Sequence, residues 1–417
     1  MDILAFLPAE ISIQILEKLS PTDVANARLV SRAWNALTRT PTLWRSIFYR
    51  FAITDGHLSL AEFEGFCARN SSLLTWEERC KRVYERGVNF QTGKCTFMHT
   101  IVMKDFVTIC AFRLSGRYLA TLSSGGRISV WELTMAAVCR GENAHTCVDY
   151  IVLQKTSPFM FQHLDIISTE KYSDTPYLIA VGGNEICLVL AKHGVVCYKF
   201  DGAFFNQTYL GMSEEYIVYC AGEAVNVWSM ETGCLVWRLG NLRLSPGQIS
   251  FFDSVLYIHS SYNTPPFSVR AVDVRTGEQL WSTTYRPSLG SNLIPHTQMC
   301  RDLVFAFTEE KIYQYQLSNH SIEKSDEYTY SGNLIEMING WRYSAALLLL
   351  EEPTAKYNSW LTLLSRYGIH RIAPHPITFA IRNYPVPVLP LLADVDWARY
   401  AVFDSRTHSI CIAEFWP

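Results

Sequence analysis

Tyr216-Ile217-Val218-Tyr219, Gly222, Val225-Asn226-Val227-Trp228, Met230-Glu231-Thr232-Gly233 and Leu235-Val236-Trp237 follow one another in a single stretch of the chain. Three short runs of β-branched and aromatic residues are separated by two turn signals, which is the pattern of successive antiparallel strands rather than of a helix. Gly233 permits the positive φ of a tight turn between two of those strands. Trp237 follows as a large side chain for packing.

The same unit recurs on both sides. Tyr118-Leu119-Ala120-Thr121-Leu122, Gly125-Gly126 and Ile128-Ser129-Val130-Trp131 form one copy. Tyr177-Leu178-Ile179-Ala180-Val181, Gly182-Gly183-Asn184 and Ile186-Cys187-Leu188-Val189 form another. Weaker copies start near Leu256, Leu303, Tyr343 and Tyr400. Asp273-Val274-Arg275-Thr276-Gly277 leading to Leu280-Trp281 repeats the second signature. Starts roughly 40 to 60 residues apart are those of four-stranded propeller blades. The repeats resemble WD-repeat and quinoprotein-like β-propellers. The strict Trp-Asp dipeptide is absent, because Trp131 is followed by Glu132 and Trp228 by Ser229. Seven blades are expected, with six or eight as the alternatives. The last, from about Val388 to Phe415, shows only three strands, and Cys95 to Val102 is expected to supply its fourth. That closure pairs the two ends of the repeat region and removes an open sheet edge. Trp131, Trp228, Trp237 and Trp281 are expected to pack between blades.

Before residue 93 the apolar spacing is helical. Leu7, Ile11 and Ile15 are four apart, and Leu16 and Leu19 extend the stripe. Pro8 and Pro21 suit first helical positions. Ser20 and Ser31 are candidate N-caps, and Thr40-Pro41 opens a further helix. So few residues in short helices rarely bury enough surface to stand alone, so the segment either packs on the rest of the chain or holds a partner.

Leu7-Pro8-Ala9-Glu10-Ile11, Ile15-Leu16, Leu19, Pro21-Thr22-Asp23-Val24, Leu29-Val30-Ser31-Arg32-Ala33-Trp34 and Leu43-Trp44-Arg45 resemble an F-box, in order and at its usual separations. Ser31 stands where many members carry Cys. The resemblance implies docking on a Skp-type adaptor, which links such proteins to a cullin and a RING ubiquitin ligase. It carries adaptor binding onto Leu7, Pro8, Ile11, Ile15, Leu16, Leu19, Leu29, Val30, Trp34 and Trp44. Some of these must instead hold the helices together, and the sequence does not divide the two sets. The stretch from Leu58 to Val88 also reads helical, and Trp76-Glu77-Glu78-Arg79-Cys80 is similar to the connector of F-box proteins that bear WD-type repeats. The fold class is therefore multidomain, α plus all-β: an F-box at 1–50, a helical connector at 51–93 and a β-propeller at 94–417.

Composition narrows the function. Of 417 residues 49% are hydrophobic and 18% charged, so the chain has ample material for a core. A net charge of −3 argues against non-specific nucleic-acid binding. No apolar run reaches about 18 residues; Ala345 to Leu350 is only strand-sized. The N-terminus lacks a basic region before its short apolar stretch, so no secretory signal is read there. The 12 cysteines contain no Cys-x-x-Cys pair and are expected to be buried thiols of a cytoplasmic or nuclear protein. No phosphate-binding loop and no nucleophile elbow is present, and His370 and His375 flank Pro374 rather than sharing a helix face. Arg45 and Arg50 read as solvated helix positions. No catalytic residue, cofactor or metal is expected.

The expected function is that of a substrate-recognition adaptor in a Skp–cullin–F-box ubiquitin ligase, with the propeller binding an unidentified protein. The alternatives are a Skp-binding scaffold outside a cullin ligase and a ligand-binding propeller. Candidate substrate-contacting positions lie in the loops between blades: Phe106, Phe159, Asn206, Gln248, His296 and Asn333. The insertions Ser260 to Phe267 and Glu351 to Ser359 are candidate binding loops.

Overall fold

In the computed structural model of the chain, the described residues are 6–50, 74–92 and, between 97 and 414, twenty-eight strands with some of their turns. The chain divides into two compact units. One runs from Met1 to Thr96 and takes in Phe415–Pro417; the other is Phe97–Glu414.

The first unit is helical. Helices α1 (Ala9–Leu16), α2 (Pro21–Ala27), α3 (Arg32–Thr38) and α4 (Pro41–Phe48) are short, and α5 (Trp76–Thr92) is longer. Local chemistry sets their starts. The Ser20 hydroxyl accepts the Asp23 amide at 3.1 Å with Pro21 at the first position of α2, and the Ser31 hydroxyl accepts the Trp34 amide at 3.3 Å. Pro41 opens α4 behind Thr40. Leu16, Val24, Ala27, Leu43, Trp44, Ile47 and Phe48 form the core, joined from α5 by Cys80 and Val83. The Trp44 indole N–H donates to the Thr38 carbonyl at 2.6 Å, which satisfies the polar edge of a buried ring.

Helix α5 is tied to this core through aromatic and ionic contacts. Trp76 meets Phe48 edge-on at 5.7 Å, and the Arg79 guanidinium lies 4.5 Å from the Trp76 ring. Arg28, at the end of α2, pairs with Glu77 at 2.5 Å and sits over the Trp44 ring at 5.6 Å. Arg50 departs from its reading as a solvated residue. Its guanidinium donates to the carbonyls of Glu17 and Leu19, two of the acceptors left open where α1 ends. Arg45 is exposed, over the rings of Tyr49 and Trp76.

The second unit is antiparallel β. Among the described residues it holds seven four-stranded sheets, each with neighbours in chain order. Blade 1 is Ile109–Ser115, Tyr118–Ser123, Arg127–Leu133 and His145–Val152. Blade 2 is His163–Ser168, Tyr177–Gly182, Glu185–Leu190 and Val195–Asp201. Blade 3 is Gln207–Met212, Tyr216–Ala221, Ala224–Ser229 and Leu235–Leu239. Blade 4 is Ile249–Phe252, Val255–Ser260, Phe267–Asp273 and Gln279–Tyr285. Blade 5 is His296–Cys300, Leu303–Phe307, Lys311–Ser318 and Ser321–Thr329. Blade 6 is Asn333–Asn339, Ala345–Glu351, Ser359–Ser365 and Gly368–Arg371. Blade 7 combines Ala393–Val395, Arg399–Asp404 and Ser409–Glu414 with Phe97–Val102, which pairs antiparallel with the last strand from Phe97 opposite Glu414 to Val102 opposite Ser409. First strands of consecutive blades neighbour one another from blade 1 to blade 5 and from blade 6 through blade 7 back to blade 1; blades 5 and 6 meet through their fourth strands. The sheets thus close a ring, the arrangement of a β-propeller.

The repeated turn signatures explain how neighbouring blades lock. Gly233 and Gly277 adopt φ of 67° and 74°. In each turn the glycine amide donates back to the residue ending the third strand, Ser229 or Asp273, at 2.9 and 2.8 Å. The Asp273 carboxylate also accepts the amides of Arg275 and Thr276. Trp237 lies across from blade 3 onto blade 4. Its indole N–H donates to the Val274 carbonyl at 2.7 Å, and its ring covers Gly277, where an added Cβ would lie 3.0 Å from ring carbons. Trp281 packs in the same sense on the apolar cluster shared by blades 4 and 5. Trp131 belongs to the cluster between blades 7 and 1, and Trp228 is buried within blade 3.

Candidate functional site

Apolar surface is concentrated at two places on the short helices. Along α1, Ile11 and Ile15 lie one turn apart and are 42% and 43% exposed. In the turn from α2 to α3, Leu29 is 87% exposed and Val30 61%. Phe6, just before α1, is also open to solvent. Helix α1 packs beside α3, so both sets belong to one small helical body. The local reason is the geometry of the turn. Helix α2 ends at Ala27, whose side chain is buried, and the Ser31 cap starts α3. Of the three residues between these anchors, Arg28 turns inward to Glu77 and the Trp44 ring, and Leu29 and Val30 carry their side chains outward. Arg32, Lys18 and Arg39 are exposed on the same body.

The ten residues expected to meet an adaptor are thereby divided. Pro8, Ile11, Ile15, Leu29 and Val30 are exposed; Leu7, Leu19 and Trp34 are half-buried; Leu16 and Trp44 are buried in the helical core. Leu16 faces inward because it sits one residue past Ile15 on α1, about 100° further round the helix. The helical stripe read from spacing is therefore split: its i, i+4 members look out and its neighbour looks in. Phe6 was not singled out by spacing, because it precedes the first helical turn.

Of the candidate substrate-contacting positions, Phe106, Phe159, Asn206 and Gln248 lie outside the described residues, as do most of the two long insertions. His296 and Asn333 open the first strands of blades 5 and 6.

Titratable groups in the described interior serve packing. Burial pushes the Cys80 thiol up to about 12, with Glu77 adding to the rise and Arg50 opposing it, so Cys80 is a poor nucleophile at neutral pH. Its Sγ donates to the Trp44 carbonyl at 3.4 Å. In blade 4, His259 shares a hydrogen bond of 2.9 Å with the Tyr285 hydroxyl, and burial lowers the imidazole to about 4. Burial raises Tyr285, with a further push from Tyr315. Among the described residues no group of three His, Cys, Asp or Glu could hold a metal ion, and no helix is long and apolar enough to cross a membrane.

Residues 4–50 match the F-box-like family, and the N-terminal segment is an F-box-like domain. The chain is 29% identical over 127 residues to F-box/WD repeat-containing protein 5 of Homo sapiens, and 31% identical over 128 residues to the Rattus norvegicus protein of that name. Each match spans 30% of this chain and 20% of the relative, so the chain covers about a fifth of the length of these relatives. Among solved structures, a chain of the mitotic checkpoint complex aligns over 78% of this chain and 92% of its own length, at 9% identity and a TM-score of 0.49. Hsv2 of Kluyvelomyces marxianus aligns over 72% and 89%, at 9% identity and a TM-score of 0.44. The propeller assignment rests on the sheet topology itself.

Proposed function

We propose that this chain is a non-catalytic receptor subunit of a Skp–cullin–F-box ubiquitin ligase. The F-box-like helices dock a Skp-type adaptor, and the propeller holds a protein substrate. One observation supports this most directly: Ile11, Ile15, Leu29 and Val30 leave their apolar surface in water on a domain of the F-box-like family. Covering a Leu or Val side chain is worth about 1.5–3 kcal/mol, so the set is adequate for an interface core. Leu16 and Trp44 then act from behind by holding the helices that present it. Substrate turnover follows from tethering, since a lysine held near the ubiquitin-carrying enzyme reacts at high effective concentration. This reading places the chain in the cytoplasm, the nucleus or both.

The test is co-expression of the full chain with a Skp-type adaptor, beside a Leu29→Asp/Val30→Asp variant, followed by size exclusion. The expected result is one-to-one co-elution that the variant loses while its circular dichroism is unchanged. Immunopurified wild-type chain should bring a cullin and ubiquitin-ligase activity with it. A wild-type chain that elutes free of the adaptor refutes the proposal.

A further inference from the structure

We propose that Ser31 is a phosphoacceptor for an arginine-directed protein kinase, and that its phosphorylation releases the adaptor. The inference rests on the adaptor reading above and names a control of that same surface.

Ser31 directly follows Leu29 and Val30, the pair that stands furthest into solvent on the α2–α3 turn. Ser31 itself has extended backbone, at φ −160° and ψ 171°, between the turn at residues 28–30 and helix α3. Arg28 stands three residues before it and Arg32 one after. Kinases of this class read such guanidinium groups with carboxylates. Arg28 is paired with Glu77, but both side chains are part-exposed, at 27% and 39%. A part-exposed pair is weakly held, so a kinase carboxylate can exchange for Glu77 once Arg28 leaves the face of Trp44. Other hydroxyls of the domain fit less well. Ser12 and Thr38 are buried. Ser20 donates to the Asp23 carboxylate at 2.7 Å and has Glu17 three residues before it. Thr42 follows Arg39 at the same spacing but lies within α4, where the backbone is helical.

The step itself balances simply. The Ser31 Oγ forms a bond to the γ-phosphorus of ATP, the bond from that phosphorus to the β,γ-bridging oxygen breaks, ADP leaves, and the hydroxyl proton passes to the kinase's carboxylate base. The product carries about −1.5 to −2 charges next to Val30. Docking would then have to strip water from a dianion inside an apolar contact, which costs more than Leu29 and Val30 return. The cap itself can persist. The Ser31 oxygen already accepts the Trp34 amide, and a phosphoryl oxygen can take over that bond.

The experiment uses the full chain. The catalytic subunit of a cyclic-nucleotide-dependent, arginine-directed kinase is supplied with ATP, and phosphate is mapped by mass spectrometry. Adaptor affinity is then measured for the unmodified chain, for chain with phosphoserine encoded at 31, and for Ser31→Asn, a neutral residue that also caps helices. Expected are phosphate on Ser31, lost in Ser31→Ala and reduced at least about tenfold in Arg28→Ala, and adaptor binding at least about 100-fold weaker for the phosphoserine chain, with Ser31→Asn within a few-fold of wild type. No phosphate on Ser31, or equal binding by the phosphoserine chain, overturns the inference while leaving the adaptor reading intact. A melting temperature that falls in step with the lost binding also overturns it, because the effect then belongs to folding. Failure of the unmodified chain to bind the adaptor instead defeats the proposed function.

Discussion

Replacing Gly277 by alanine tests the account of how blades lock. The position has φ +74°, where an L side chain costs about 1–2 kcal/mol. The new methyl would also lie 3.0 Å from two carbons of the Trp237 ring. The ring cannot swing away freely, because its N–H is bonded to the Val274 carbonyl at 2.7 Å. Strain and crowding together give a loss of about 2–3 kcal/mol. Unfolding entropy near 2 cal/mol/K per residue, over a unit running from residue 97 to 414, converts this to a fall of about 3–4 °C in the propeller's melting transition. Gly240→Ala is the internal control. No atom lies within 4 Å of a Cβ built there and its φ is not positive, so its effect should stay within about 0.5 kcal/mol. Differential scanning calorimetry on the wild type, both variants, Trp237→Ala and the Gly277→Ala/Trp237→Ala double variant supplies the measurement. The double variant should show Gly277→Ala costing less once the ring is gone, leaving only the backbone term. Equal effects at Gly277 and Gly240 would show that the turn is not strained at Gly277, and an unchanged cost without Trp237 would show that the ring does not crowd it.

Two further outcomes are expected. Trp44→Ala should destabilise the helical unit by about 3–5 kcal/mol and Leu29→Ala by no more than about 0.5, read by urea denaturation, because the first empties a core site and the second removes an exposed side chain. The His259 imidazole sits near 4 in the fold against an ordinary value of about 6.5, so the fold prefers it neutral. Its contribution is fully present above about pH 6.5 and is lost as pH falls towards 4, up to about 3 kcal/mol. His259→Asn should flatten the stability-versus-pH curve between pH 6.5 and 4.5; an unchanged slope would show that other groups carry it.

Much of the propeller was legible from residue order. The second strands of the blades begin at Tyr118, Tyr177, Tyr216, Val255, Leu303, Ala345 and Arg399, at or within two residues of the repeat starts read from the chain. Strand alternation and turn glycines are local signals, which is why they survive without knowledge of contacts. The turn glycines at 233 and 277, expected from the signatures that lead on to Trp237 and Trp281, do take positive φ. The candidate site was less legible. Spacing placed Ile15 and Leu16 in one stripe, yet one is 43% exposed and the other fully buried. Arg50 read as a solvated residue and instead closes the end of α1, some thirty residues earlier in the chain.

Local residue chemistry sets where helices begin and where strands turn: Ser20 and Ser31 cap, Pro21 and Pro41 open helices, and Gly233 and Gly277 bend hairpins. Each of these acts through atoms within about four residues. Contacts in the folded chain set which apolar residues of the F-box-like domain are core and which are exposed, and which indole crosses to the next blade. Those outcomes depend on side chains brought together from distant positions. Arg28 meets Glu77, Trp44 meets Cys80, and Trp237 meets Gly277, each across more than thirty residues. A period in the sequence specifies a face, and the surrounding contacts specify what that face meets.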